Sequence, residues 1–352
     1  MLFRSPCLLY TSPTATLRAA FAAVKANRGA AGVDHVSVER YASDLDANLE
    51  RLSESLRDAT YRPQAIRRHF IPKPGSQEMR PLGIPTIQDR VVQTALRMVL
   101  EPIYERDFAP HSYGFRPGVG CRDALRRVTD LLEAGYVHVV DADLKSYFDT
   151  IPKDRLLALA AGKVADGRIL KLVEAFLGQS VLEDTREWVP EQGTPQGAVI
   201  SPLLSNIYLD PLDHLVAGRG FEMVRYADDF VVLCRSPQEA AEALAVVRDW
   251  TQEAGLTLHS VKTRLVHAWN DGFDFLGYHF ERGRRWPRKK SMDKLRDSIR
   301  AKTGRNVGQG LPRVIADINP ILKGWYGYFQ YSYRPTFRIV DGWVRRLSLI
   351  HI

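Results

Sequence analysis

Cysteine is nearly absent: Cys7, Cys121 and Cys234 stand far apart among 352 residues and form no C-x-x-C pair. That excludes a disulfide framework and a zinc ribbon and suits a reducing compartment, so a cytoplasmic protein is expected. No apolar run approaches the roughly 18–20 residues needed to cross a bilayer, so no membrane partner is expected. The apolar opening, residues 1–10, is interrupted by Arg4 and Pro6 and followed by no small-residue cleavage site, which argues against a signal peptide. Internal repeats and low-complexity tracts are missing as well. The first dozen residues lack helical or strand period and the last five stop without a cap, so both ends read as truncated or extraneous. What remains is ordinary globular composition, 45% hydrophobic and 26% charged, enough to bury a sizeable core.

The net charge of +8 is unevenly placed. From Glu281 onward there are 17 Lys and Arg against 5 Asp and Glu, whereas the preceding 280 residues are slightly acidic, 32 against 36. A basic last fifth with interleaved Trp and Tyr points to a polyanion-binding surface.

Apolar spacing predicts helices near Thr16, from Val38 through Leu56, over Asp89–Glu105, Arg122–Leu132 and Asp166–Leu177, after Ser201 as a cap, and from a Ser236 capping box to Ala254. Short apolar pieces broken by Pro and Gly in 67–85 predict a hairpin carrying Arg67, Arg68, Lys73 and Arg80. A β-branched run at Val137, Val139 and Val140 predicts a buried strand ending in Asp141 and Asp143. Further strands are expected at 256–258, 264–268 and 273–280, and a helical tail from Met292 to Phe329 in which Pro320 starts a new helix. The order from 136 to 280 describes an α+β arrangement, an antiparallel sheet with helices on one face.

Within it, M-V-R-Y-A-D-D-F-V-V-L-C-R at 223–235 reads as a tight hairpin whose tip carries Asp228 and Asp229. Adjacent ionised carboxylates repel, and partial burial makes them costlier unless a cation joins them. The end of the 137–140 strand can lie beside that tip and bring Asp143 to the pair. Three converging carboxylates suit two Mg²⁺ ions, as in polymerases and nucleases. Gly193, Pro195 and Gly197 form a constrained loop that lets backbone approach a ligand.

Y-A-D-D at 226–229, D-A-D-L-K-S-Y-F-D at 141–149 and G-T-P-Q-G-A-V-I-S-P-L-L-S-N-I-Y-L at 193–209 together resemble the reverse transcriptases encoded by bacterial group II introns. So do I-P-K-P-G and R-P-L-G-I-P within 71–85, S-Y-G-F-R-P at 112–117, F-L-G-Y at 275–278 and the basic helical stretch at 311–329, all in the family's order. The resemblance implies a right-hand polymerase of fingers, palm and thumb, with an N-terminal extension over 1–26, helices and fingers over 27–135, a palm over 136–280 and a helical thumb of maturase type over 281–352. It implies that Asp143, Asp228 and Asp229, with the main-chain carbonyl of Leu144, hold two Mg²⁺ ions, for which Mn²⁺ can substitute. Lys73 and Arg80 would clamp the incoming triphosphate, and Gln196 and Gly197 would line the nucleotide pocket. Phe148 would act as the steric gate against a 2′-hydroxyl, and Lys262 would protonate departing pyrophosphate. The implied partners are an RNA template with its primer, the RNA/DNA hybrid, dNTPs and an intron RNA. An RNA-binding maturase with little polymerase role, and a reverse transcriptase serving CRISPR or phage defence, stay open as alternatives.

Overall fold

The computed structural model describes residues 13–72, 79–304 and 310–349. Its strands are β1 (Ile66–Pro72), β2 (Met79–Ile84), β3 (His138–Asp143), β4 (Val181–Glu183), β5 (Arg186–Trp188), β6 (Glu222–Tyr226), β7 (Asp229–Cys234), β8 (Arg264–His267), β9 (Phe273–Phe275), β10 (Tyr278–Glu281) and β11 (Arg284–Pro287). Among the described residues they make three sheets, ordered β2-β1-β4-β5, β6-β7-β3-β8 and β11-β10-β9.

The central sheet β6-β7-β3-β8 is antiparallel throughout. Strand side chains alternate between faces, so the neighbours Val139 and Val140, or Val231 and Val232, point to opposite sides. Both sides are buried. Val140, Phe230 and Val232 pack with residues of helices Ile87–Glu105, Ser201–Gly218 and Pro237–Glu253. Val139, Val231 and Leu233 pack with helix Cys121–Glu133 and the small sheet β9–β11. The α+β class with an antiparallel sheet therefore holds, but the expectation of cover on one face does not. The continuous β-branched runs, rather than apolar–polar alternation, are what a sheet buried on both faces requires.

The hairpin expected within 67–85 forms as β1 and β2, with Ile71 opposite Arg80. It is extended by β4, which runs parallel to β1, and by the β4–β5 hairpin, which was not anticipated. The stretch expected as a single strand over 273–280 is instead two strands folded at Leu276 and Gly277, both at positive φ (46° and 82°). Two consecutive left-handed residues make the tight turn that matches strand twist, and Gly277 supplies one of them freely. Residues 256–258 contribute only a bridge between Leu258 and Leu144. The 38–56 helix breaks at Asp44 into Val38–Ser43 and Leu45–Arg57.

Two helices begin elsewhere than expected. Ser201 is the first residue of its helix rather than the cap, and its hydroxyl donates to the Pro195 carbonyl at 2.8 Å. Pro320 lies inside the continuous helix Leu311–Phe329 instead of opening a new one. After the β10–β11 hairpin, the described part of the basic tail is three helices, Lys289–Arg300, Leu311–Phe329 and Pro335–Leu349, sharing a small core of Leu295, Ile299, Ile318 and Val340. Tyr278 and Tyr328 tie this unit to the β9–β10 turn: each hydroxyl donates across, to the carbonyls of Tyr328 and Leu276 respectively. No helix is long and apolar enough to cross a membrane among the described residues.

Candidate active site

Strands β6 and β7 are joined by Ala227 and Asp228 alone, since Tyr226 already pairs with Asp229. The turn therefore carries one carboxylate, and the other opens the return strand. Ala227 sits at φ 59°, a region a residue with a Cβ enters at a cost of about 1 kcal/mol or more. Strand β3 lies in register beside β7, with Asp143 directly opposite Asp229. The sheet thus brings Asp143, Asp228 and Asp229 to one edge. Asp141 shares β3's face with Asp143 two residues back, and Arg264 of β8 holds it at 3.1 Å.

These acids load one another. Burial and the charge of Asp143 raise the pKa of Asp228, while Arg80 and Arg225 oppose the rise. Asp229 lines an open cavity with Leu276, Gly277 and Trp325, so water reaches it although protein crowds around it. Its desolvation, then Asp228, Asp141 and Asp143, push its pKa up to about 7 against a backbone hydrogen bond from Leu276. Among the described residues no three His, Cys, Asp or Glu side chains are gathered closely enough to cage a metal. Lys262 Nζ instead sits on Asp143 Oδ2 at 2.9 Å. The donor chemistry nevertheless fits a hard divalent cation, because every candidate ligand is oxygen and the crowded acids need positive charge. Leu144, whose carbonyl completes the expected ligand set, is buried and bridged to Leu258.

The loop at 193–197 is stitched to two elements. Thr194 N donates to the Phe148 carbonyl at 2.7 Å and Gly193 N to that of Ile151 at 2.8 Å. On the other side Gly83 N, in β2, donates to the Gln196 carbonyl at 2.6 Å. Gly197, at φ 102°, lies so close to Gly83 that a Cβ would collide with its carbonyl oxygen. Phe148, Gln196 and Gly83 line one cavity with Arg68 and Trp188. Arg80 is exposed near the start of the otherwise half-buried β2, and Lys73 falls outside the described residues.

The strand-forming pattern gave no hint of Arg225, which is completely buried. Its guanidinium donates to both carboxylate oxygens of Asp213 (2.7 and 2.5 Å), to Asn206 Oδ1 (2.9 Å) and to the carbonyl of Ala227 in the turn (2.9 Å). Asn206 in turn donates to the Gly114 carbonyl at 2.8 Å, and a Cβ on Gly114 would strike the Ala227 amide. The positive φ of Ala227 is thus held from below by a buried ion pair and from the side by a glycine. Asp213, set among Leu209, Leu212 and Val216 on the buried side of helix Ser201–Gly218, was the available signal.

Residues 71–280 match the family model described as reverse transcriptase (RNA-dependent DNA polymerase), and residues 292–351 match the group II intron, maturase-specific domain. Protein YkfC of Escherichia coli (strain K12) is 33% identical over 292 residues, covering 72% of this chain and 76% of that protein. Group II intron-encoded protein LtrA of Lactococcus lactis subsp. cremoris is 41% identical over 171 residues, or 49% of this chain and 28% of LtrA. A 91 kDa protein in the cob intron of Schizosaccharomyces pombe is 27% identical, spanning 80% of this chain and 45% of that protein. The chain therefore spans about three quarters of the first relative but less than half of the other two. A solved structure, the partial Cas6-RT-Cas1–Cas2 complex, superposes with a TM-score of 0.40 at 24% identity, over 68% of this chain and 40% of that one. With the first match covering well over half its length, the chain belongs to the reverse transcriptase family and carries the maturase-specific domain of group II introns.

Proposed function

We propose that this protein is an RNA-directed DNA polymerase that extends a primer along an RNA template, and that it also assists splicing of an intron RNA. The observation that carries the reading is the register of Asp143 against Asp229 with Asp228 at the adjoining turn, facing the charge of Arg80. Asp143, Asp228, Asp229 and the Leu144 carbonyl would hold two Mg²⁺ ions, which when bound supply acidification of a primer 3′-hydroxyl and neutralisation of the triphosphate. The protein's own groups then position and screen. Arg80 and Lys73 take the phosphates, the Gly193–Gly197 loop lines the base and sugar, and the Phe148 ring fills the space a 2′-hydroxyl needs. Lys262, resting on Asp143, would give a proton to departing pyrophosphate. The division into fingers, palm and thumb at residues 135 and 280 follows the same reading.

dNTP incorporation on poly(rA)/oligo(dT) tests the proposal. Asp228→Ala is expected to lower it by about 10²–10³-fold or more, and unchanged incorporation would sink the assignment. The maturase-specific match at 292–351 supports the splicing role. Splicing assistance should survive Asp228→Ala, because folding an RNA needs the basic surface and not the metals. A CRISPR- or phage-defence role is the weaker alternative; a ribozyme flanking the reading frame decides against it.

A further inference from the structure

A second cavity with nucleic-acid chemistry lies behind the catalytic sheet. It holds about 640 Å³ and is walled by the end of helix Cys121–Glu133, the β10–β11 turn and the segment 331–334. The same helix begins beside the catalytic hairpin, where Cys121 neighbours Tyr226. It reaches the cavity only at Thr129, about 12 Å further along at 1.5 Å per residue. The cavity is therefore separate from the carboxylate cleft.

Its composition is selective. Phe70, Phe115, Trp269, Tyr326, Tyr331 and Tyr333 are the exposed aromatic side chains among the described residues, and Trp269, Tyr331 and Tyr333 all line this one space. Four arginines, Arg282, Arg284, Arg285 and Arg334, face a single acid, Glu133. Arg285 belongs to the wall, donating to the carbonyls of Tyr331 and Leu125 and to the Thr129 hydroxyl. The cavity is thereby preformed rather than assembled on binding. Arg284 lies over the Tyr333 ring at 4.4 Å, and Arg334 is exposed. An acidic peptide would not need three accessible rings, and an apolar ligand would not need guanidinium groups. Rings that accept a flat base beside cations that accept phosphate are the recognition chemistry of single-stranded nucleic acid.

We propose that this cavity binds an unpaired segment of single-stranded RNA, a base stacking on its rings and the flanking phosphates held by Arg284 and Arg334, while primer and template occupy the carboxylate cleft. The choice of RNA rests on the splicing role proposed above, which requires the protein to hold an RNA apart from the strand being copied.

Anisotropy of a fluorescein-labelled 12-nucleotide single-stranded RNA, with the full chain saturated by unlabelled primer–template duplex, tests this. The wild type should still bind the RNA. The exposed pair Arg284→Glu/Arg334→Glu should weaken binding at least tenfold with unchanged melting temperature and with poly(rA)/oligo(dT) incorporation within twofold of wild type. Tyr331→Leu should weaken it several-fold. Complete displacement of the RNA by the duplex, equal affinity of the charge-reversed protein, or equally tight binding of the same sequence as DNA would each overturn the proposal. Absent incorporation by the wild type with persistent RNA binding would instead remove the polymerase reading and leave the cavity assignment standing.

Discussion

Asp229 concentrates the electrostatic tension of the site in one carboxyl. Its pKa, pushed up to about 7 by burial and by Asp228, Asp141 and Asp143, means the folded protein holds a proton there that the unfolded chain releases near pH 4. The folded state therefore binds more protons than the unfolded state between about pH 4 and 7, and this group's contribution to stability falls as pH rises through that window. Asp229→Asn removes the term. The variant should be more stable than wild type at pH 8 by about 1 kcal/mol, less than the full shift because water reaches the group. The gain should vanish near pH 4, as read by melting temperature in EDTA at both pH values. Phe148 gives the second test at this scale. Phe148→Ala should admit ribonucleotides while leaving dNTP incorporation within several-fold, and continued rejection of rNTPs by that variant would remove the gate assignment. The three catalytic candidates were legible because a carboxylate ending an apolar strand is an unusual expense. Arg225 was not, because a charged residue between Val224 and Tyr226 reads as the solvent side of a strand. Only helix Ser201–Gly218, packed beneath from a different part of the chain, turns that side into an interior.

At the scale of the element, the hairpin is a strained device held from outside. Arg225→Met leaves Asp213 buried and unpaired, and loss of one partner of a buried ion pair costs about 3–5 kcal/mol. The double variant Arg225→Met/Asp213→Leu should recover most of that stability in urea denaturation. It should not recover incorporation, because the Ala227 carbonyl still lacks its donor and the carboxylates lose their aim. Recovery of both together would reduce Arg225 to a packing residue. Element types were mostly readable from periodicity and caps. Two of the misread cases turn on local backbone detail that side-chain periodicity does not report: Leu276 and Gly277 both take positive φ and fold one expected strand into two, and the Ser201 hydroxyl bonds the Pro195 carbonyl six residues back instead of capping the helix.

For the whole molecule, charge placement and architecture agree. The slightly acidic body holds the carboxylates, and the region from Glu281 carries the excess of 17 basic over 5 acidic residues. Lys289 and Lys290 open the first helix of that region and are exposed. Lys289→Gln/Lys290→Gln should weaken primer–template binding uniformly across sequences and reduce the slope of log affinity against log salt by about 1–2. An unchanged slope would place the duplex elsewhere. The loop at 193–197 has a consequence at this same scale. Because it is bonded to β2 on one side and to the Phe148 turn on the other, the outer sheet and the Phe148 backbone are parts of one linkage. On the roles proposed above for Arg80 and Phe148, a tilt of that sheet toward a triphosphate would carry the Phe148 backbone with it. Grasping the phosphates and testing the sugar would then be a single movement, and a wrong sugar would be refused as a closure that does not complete.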